Sequence, residues 1–284
     1  LNPAPVTPFT VDGDVDHRAM VGLGKWLAGF DGVKSLVVLG HAGEGTFLTA
    51  DEQVAVIEKL VEAVDVPIIA GITGEGTKVA VEEARAAVAA GATAGLVYPS
   101  PQDRYRALYE EAGLPLILFQ YPDNTKATYS LDTQLEIAAQ PGVFATKNGV
   151  RNMRRWDTEI PVLRAEHPDL QILSCHDEYL LHTMFDVDGL LVGYGGLAPE
   201  PLLELIAAGK ARDYAAARAV HDRLLPVTKA VYHRGSHMEG TVALKLGLKA
   251  RGVLPNATVR SPLIDLTPEA EAEIVQALKA AELV

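Results

Sequence analysis

One cysteine among 284 residues, Cys175, leaves no partner for an internal disulfide and suits a reducing compartment. Long apolar runs are missing too: none approaches the roughly 18 residues that a spanning helix needs, and no signal-peptide pattern opens the chain. Positive charge is in deficit, with 25 Lys and Arg against 37 Asp and Glu for a formal net charge of −12. The basic residues are scattered, which argues against a nucleic-acid-binding face. Proline and glycine are spread along the chain, so composition marks no linker. These absences lead to the expectation of a soluble cytoplasmic protein without nucleic-acid or membrane partners. The sequence opens at Leu1 rather than at a methionine, so residues upstream of it are expected.

What the chain does have is alternation. Eight short apolar runs, at 4–9, 35–40, 67–72, 95–100, 115–121, 143–148, 171–177 and 189–196, read as strands of a parallel sheet buried on both faces. Between them lie segments of helical period, such as 51–63, with Val54, Val56, Ile57, Leu60 and Val61 on one side. VVLGHAGEGT at 37–46 returns as IIAGITGEGT at 68–77, the mark of a repeated strand-loop-helix unit. Eight such units predict a (β/α)8 TIM barrel over 1–209, with an open doubly wound sheet as the rival. The fourth crossover, 103–111, has room only for a clipped helix. After 196 the pattern is helical: 199–208 completes the barrel, while 213–231, 238–250 and 267–281 form a C-terminal helical extension over 210–284. The last helix has Thr267 as its N-cap and Pro268 at its first position.

In a (β/α)8 barrel the chemistry sits at the C-terminal ends of the strands. VFATKNGV, 143–150, places Lys147 at the end of the sixth. Such a lysine reaches water, pairs with an acid such as Asp177 or Glu178, or gives up its proton and becomes a nucleophile. Position alone leaves these open. GHAGEG, 40–45, ends the second strand with backbone N–H groups that suit a small carboxylate.

Together, PAPVTPF, LGHAGEG, AGITGEGT, LFQYP, ATKNG, SCHDE, GLLVGYGG and VLPNATVRSPL occur in an order and at spacings that resemble the dihydrodipicolinate synthase and N-acetylneuraminate lyase family of lysine-dependent pyruvate lyases and aldolases. The resemblance implies that Lys147 forms an imine with the keto group of pyruvate or another 2-oxo acid, with no cofactor and no metal. It also implies a homo-oligomer, a tetramer or dimer. Backbone groups at Ala42 and Gly43 would hold the substrate carboxylate, and Phe119, Leu191 and Gly193 complete the expected substrate-binding positions.

Several family motifs are broken. The resemblance puts a catalytic tyrosine at Phe119, whose ring carries no proton. Tyr121, two residues on, points to the same side of a strand about 7 Å away and is a candidate replacement. The family's paired threonines are His41 and Ala42 here, so His41, with an ordinary pKa of about 6.5, is the candidate acid or base. A tyrosine lent by a second subunit falls near Pro101, and the arginine that dihydrodipicolinate synthases use for their second substrate falls at Asn124. A neutral amide cannot replace that bidentate ion pair.

The expected activity is therefore aldol-type cleavage or condensation by a lyase that is not an authentic dihydrodipicolinate synthase. Dehydration of a deoxy or hydroxy 2-oxo acid shares its first steps, and a homologue that only binds a 2-oxo acid is the reading from another class. Cys175 is expected to be a packed thiol, and Tyr194 either to close over substrate or to pack. His176, Asp177, Glu178 and His182, or His233, His237 and Glu239, offer metal-ligand types without a zinc spacing, so no metal site is expected.

Overall fold

The computed structural model describes residues 1–122 and 128–284, the His237 side chain excepted; Asn124 and that side chain, both raised by the sequence, lie outside the described residues. Eight strands run β1 (Asn2–Pro3), β2 (Leu36–Val38), β3 (Ile68–Ile72), β4 (Ala94–Val97), β5 (Leu116–Gln120), β6 (Val143–Asn148), β7 (Gln171–Ser174) and β8 (Gly189–Val192). Every pairing is parallel, in the order β1-β8-β7-β6-β5-β4-β3-β2. The circle is completed where Lys34 N–H donates to the Leu1 carbonyl at 2.9 Å and the Ser35 hydroxyl donates to Asn2 Oδ1 at 2.8 Å. This is the (β/α)8 barrel that the sequence predicts.

Side chains alternate along each strand, and both faces are buried. Val37, Ile69, Leu96, Ile117, Phe119, Ala145, Leu173 and Leu191 fill the barrel interior. Their neighbours Leu36, Val38, Ile68, Ala70, Leu116, Leu118, Leu190 and Val192 pack outward under the helices. That alternation explains why these strands read as unbroken apolar runs. It also decides where Lys147 goes: two residues after inward Ala145, it points into the barrel mouth, while Phe144, just before Ala145, faces out and is 37% exposed.

The first strand corrects the sequence reading. Segment 4–9 is irregular, and the ladder is formed earlier, by Asn2–Pro3, with Ala4 N–H donating to the Val192 carbonyl. Pro3, Pro5 and Pro8 remove the N–H donors that a longer strand there would need. The eighth run also stops short, at Val192, and turns helical.

Helices α1 (His17–Ala28), α2 (Ala50–Ala63), α3 (Thr77–Ala89), α4 (Asp103–Ala112), α5 (Leu131–Ala138), α6 (Met153–Glu166), α7 (Leu180–Thr183), α8 (Tyr194–Leu197) and α9 (Pro199–Lys210) surround the sheet. The clipped fourth helix has ten residues and ends at Gly113, which takes φ +69°. A capping box starts α2: Thr49 accepts from Glu52 N–H, and the Glu52 carboxylate accepts from Thr49 N–H. After the barrel come α10 (Tyr214–Tyr232), α11 (His237–Ala250) and α12 (Pro268–Ala280), with Thr267 as N-cap of the last.

Two ion pairs tie this extension to the loop after β2 and to the helix that follows it. Lys245 on α11 meets Glu44 at 2.6 Å, with both side chains almost fully buried. Arg260 holds Glu52 with both its terminal nitrogens, at 2.9 and 2.8 Å. The loop itself is tightly wound. A Cβ on Gly45 or Gly71 would come within 2.1 or 2.4 Å of the Leu39 carbonyl oxygen, so only glycine fits either position.

Candidate active site

A cavity of about 320 Å³ opens at the C-terminal ends of the strands. Its lining includes Lys147 and Phe119 from the barrel mouth, His41 and Ala42 from the loop after β2, Tyr121 beyond β5, and Arg151, Asp177 and Glu178 beyond β6 and β7. Gly240, Thr241 and Leu244 of α11 complete it from the C-terminal extension.

Lys147 and Phe119 are paired across β5 and β6, and the lysine Nζ lies 4.0 Å from the centroid of the phenyl ring. The lysine is 6% exposed. The nearby acids are engaged elsewhere. Asp177 accepts the Tyr194 N–H at 2.9 Å, and Glu178 pairs with Arg151 at 2.8 Å. Among the described residues no carboxylate forms an ion pair with Lys147.

An aromatic group stands beside the amine. The Tyr121 ring meets Phe119 edge-on with centroids 4.2 Å apart, confirming that the two side chains share one face. Its hydroxyl contacts His41 Nε2. The His41 ring lies 5.1 Å from that of Tyr121 and 5.0 Å from that of Tyr98. The Tyr98 ring also meets that of Tyr121 edge-on, with centroids 5.9 Å apart. Burial pushes both phenols well above the ordinary tyrosine value, so both are protonated at neutral pH. His41 is exposed on its outer side.

In the loop after β2, Glu44 and Gly45 donate their N–H groups back to the His41 and Gly40 carbonyls. The Ala42 and Gly43 N–H groups have no acceptor among the described residues. Ala42 lines the cavity, whereas Gly43 lies behind it, with Thr7 donating to its carbonyl, and is not part of the lining. Gly193 does line it, close enough that a Cβ there would touch Ala42 at 3.3 Å. Leu191 does not: it is fully buried in the interior layer below, because the inward positions of β8 pack against the other strands before they reach the mouth.

Tyr194 packs rather than closing over the cavity. It is 1% exposed, and its hydroxyl donates to the Leu224 carbonyl on α10. Cys175 is a buried thiol whose pKa burial raises, and its side chain reaches the lining. Among the described residues no three His, Cys, Asp or Glu side chains are placed to hold a metal. His176 is spent on structure, bonded to the Val150 carbonyl and the Ser174 hydroxyl.

Three contributors escape the sequence. Tyr98 directly follows β4, and its strand-end position was the one available signal. Arg151 donates to the Gly149 and Cys175 carbonyls at 2.9 and 3.0 Å as well as to Glu178, which fixes the β6 and β7 loops together. Tyr232, at the end of α10, lines the cavity with its phenol pKa raised by burial and by the nearby Asp177 carboxylate.

Comparison with known proteins places this architecture among named relatives. The model of the dihydrodipicolinate synthetase family matches residues 1–281. The 4-hydroxy-tetrahydrodipicolinate synthase of Haloarcula marismortui is 32% identical over 281 residues, covering 94% of this chain and 88% of that protein. The enzyme of the same name from Ralstonia nicotianae is 30% identical, covering 96% and 93%. Among solved structures, the chloride-inhibited dihydrodipicolinate synthase from Acinetobacter baumannii complexed with pyruvate is similar at a TM-score of 0.88 and 27% identity, covering 99% of this chain and 98% of that one. The dihydrodipicolinate synthase from Aquifex aeolicus gives the same TM-score at 26% identity, covering 99% and 97%.

Proposed function

The chain belongs to the dihydrodipicolinate synthetase family, and on that premise we propose that it is a lysine Schiff-base lyase acting on pyruvate or a hydroxylated 2-oxo acid. The observation that carries this reading is the Lys147 amine, buried at the cavity against an aromatic ring and without a carboxylate partner. The pyruvate bound in the Acinetobacter baumannii relative supports the choice of substrate class.

In the proposed reaction the neutral amine adds to the 2-keto carbon, and loss of water leaves an iminium. The free Ala42 N–H suits the substrate carboxylate. The iminium then draws electrons from the bond between C3 and C4. When the C4 hydroxyl gives up its proton, that bond breaks, an aldehyde leaves, and its electron pair remains on the substrate as an enamine. Protonation at C3 and addition of water release pyruvate and restore the amine; condensation is the reverse. Tyr121 and His41 are the groups placed to move these protons, with His41 in contact with water on its outer side.

Beyond the reacting carbons, Asp177, Glu178 and Tyr232 offer acceptors and a hydroxyl to a hydroxylated substrate. Phe119, His41 and Ala42, which alter the family's relay, support a substrate other than that of the authentic synthases. The reading includes a soluble cytoplasmic enzyme that self-associates as a dimer or tetramer, which sedimentation would test.

Incubation with pyruvate and borohydride followed by intact mass measurement tests the imine. A stable adduct on the wild type and none on Lys147→Ala is expected. No adduct with any of a panel of 2-oxo acids would overturn the proposal. Pyruvate release from hydroxylated 2-oxo acids, rather than water loss alone, would establish cleavage over dehydration.

A further inference from the structure

We infer that Tyr98 is a positioning residue for proton transfer, completing with His41 and Tyr121 a relay that a single chain supplies in full. Three observations meet at this side chain. Its ring packs edge-on against both Phe119 and Tyr121, each at 5.9 Å between centroids, and lies 5.0 Å from the His41 ring. Its ring is thus in contact with both other aromatic groups of the relay, Tyr121 included. The Tyr121 side chain, whose hydroxyl contacts His41 Nε2, therefore has a second phenol beside it, contributed by the strand next to its own.

A phenol that hands its proton to an enamine carbon is left as a phenolate, and a buried phenolate is costly unless hydrogen bonds support it. The arrangement supplies both remedies. The proton leaves Tyr121 for C3, the Nε2 proton of His41 replaces it, and His41 regains one from water. Tyr98 keeps its own proton throughout and donates a hydrogen bond to the Tyr121 oxygen while that oxygen carries charge. Abstraction from C3 runs the same sequence backwards. The ring contacts fix the three groups in this order, so Tyr98 acts through Tyr121 without touching substrate.

The inference rests on the imine reading above, and one experiment separates the two. Wild type and Tyr98→Phe are incubated with pyruvate in deuterated buffer, and loss of the methyl proton signal is followed by NMR alongside borohydride trapping. Tyr98→Phe keeps the ring and its packing. It should trap pyruvate to the same extent with the same half-saturating concentration, while methyl exchange slows roughly tenfold, the effect of one hydrogen bond to a charged oxygen. With His41→Gln added, the double variant should exchange no more slowly than His41→Gln alone, a coupling that packing would not produce. Exchange in Tyr98→Phe within about twofold of wild type, or parallel loss of trapping, would overturn the inference. No trapping by the wild type would overturn the imine reading, and the relay with it.

Discussion

The amine of Lys147 stands 4.0 Å from the centre of the Phe119 ring, on adjacent strands at paired positions. The ring is 2% exposed and also supports Tyr121, so one side chain fixes two of the proposed participants. Phe119→Ala should cost about 3–5 kcal/mol of stability through the cavity it leaves. Chemical denaturation measures this, and a change below about 1 kcal/mol would show that the barrel mouth collapses around the gap.

Tyr121→Phe and His41→Gln remove the proton carriers while sparing the lysine. Each should retain borohydride trapping and slow pyruvate methyl exchange by about 10²–10⁴-fold, the usual size of general acid–base catalysis. Retained exchange in both would move proton transfer to other groups.

Glu44 and Lys245 form an ion pair out of reach of water, 0% and 1% exposed. Burial raises the carboxyl pKa and lowers that of the amine, each opposed by the partner's charge. Lys245→Met should cost about 3–5 kcal/mol, since it strands a buried carboxylate. Glu44→Gln with Lys245→Met should recover much of that loss. Equal destabilisation in single and double variants would mean that the charges are not coupled.

Arg260 holds the Glu52 carboxyl down at about 2, against an ordinary 4.5. A depressed carboxyl contributes stability above its unfolded pKa and loses that contribution as the pH falls through the folded one. Between pH 4.5 and about 2 this pair should therefore yield about 1–2 kcal/mol, allowing for solvent screening at a partly exposed site. Glu52→Gln should be less stable than wild type near pH 7, with the gap narrowing as the pH falls towards 2. A gap independent of pH would assign Glu52 to helix capping alone.

Gly71 takes no Cβ without a backbone collision at Leu39. Gly71→Ala should displace the residues that lead into His41 and Ala42, and so lower pyruvate trapping as well as thermal stability. Unchanged trapping would show that the loop adjusts independently of β3.

Much of this organisation is legible in the sequence because the inner and outer faces of each strand are both buried, which turns strands into apolar runs. The first strand is not legible, since prolines keep a hydrophobic segment out of the ladder. Lys147 stands out as a charge at the end of such a run. Tyr121 follows from the period of the strand, while its contact with His41 joins residues 80 apart and needs the closed barrel. Arg151 and Tyr232 lack any local signal and Tyr98 has only its strand-end position, because what makes each one important is a neighbour from another element. The substrate-binding positions expected at Gly43 and Leu191 miss the cavity for a related reason: sequence gives the strand end but not the depth at which each side chain stops.

The Glu44–Lys245 pair also bears on how this chain can be divided. A fragment ending after α9 would keep all eight strands and Lys147, yet leave a buried carboxylate without its counter-charge and remove Thr241 and Leu244 from the cavity. In evolutionary and engineering terms the smallest inheritable unit is then the barrel together with α11. A tail without a cation at the place of Lys245 would strand Glu44 in the loop that carries His41.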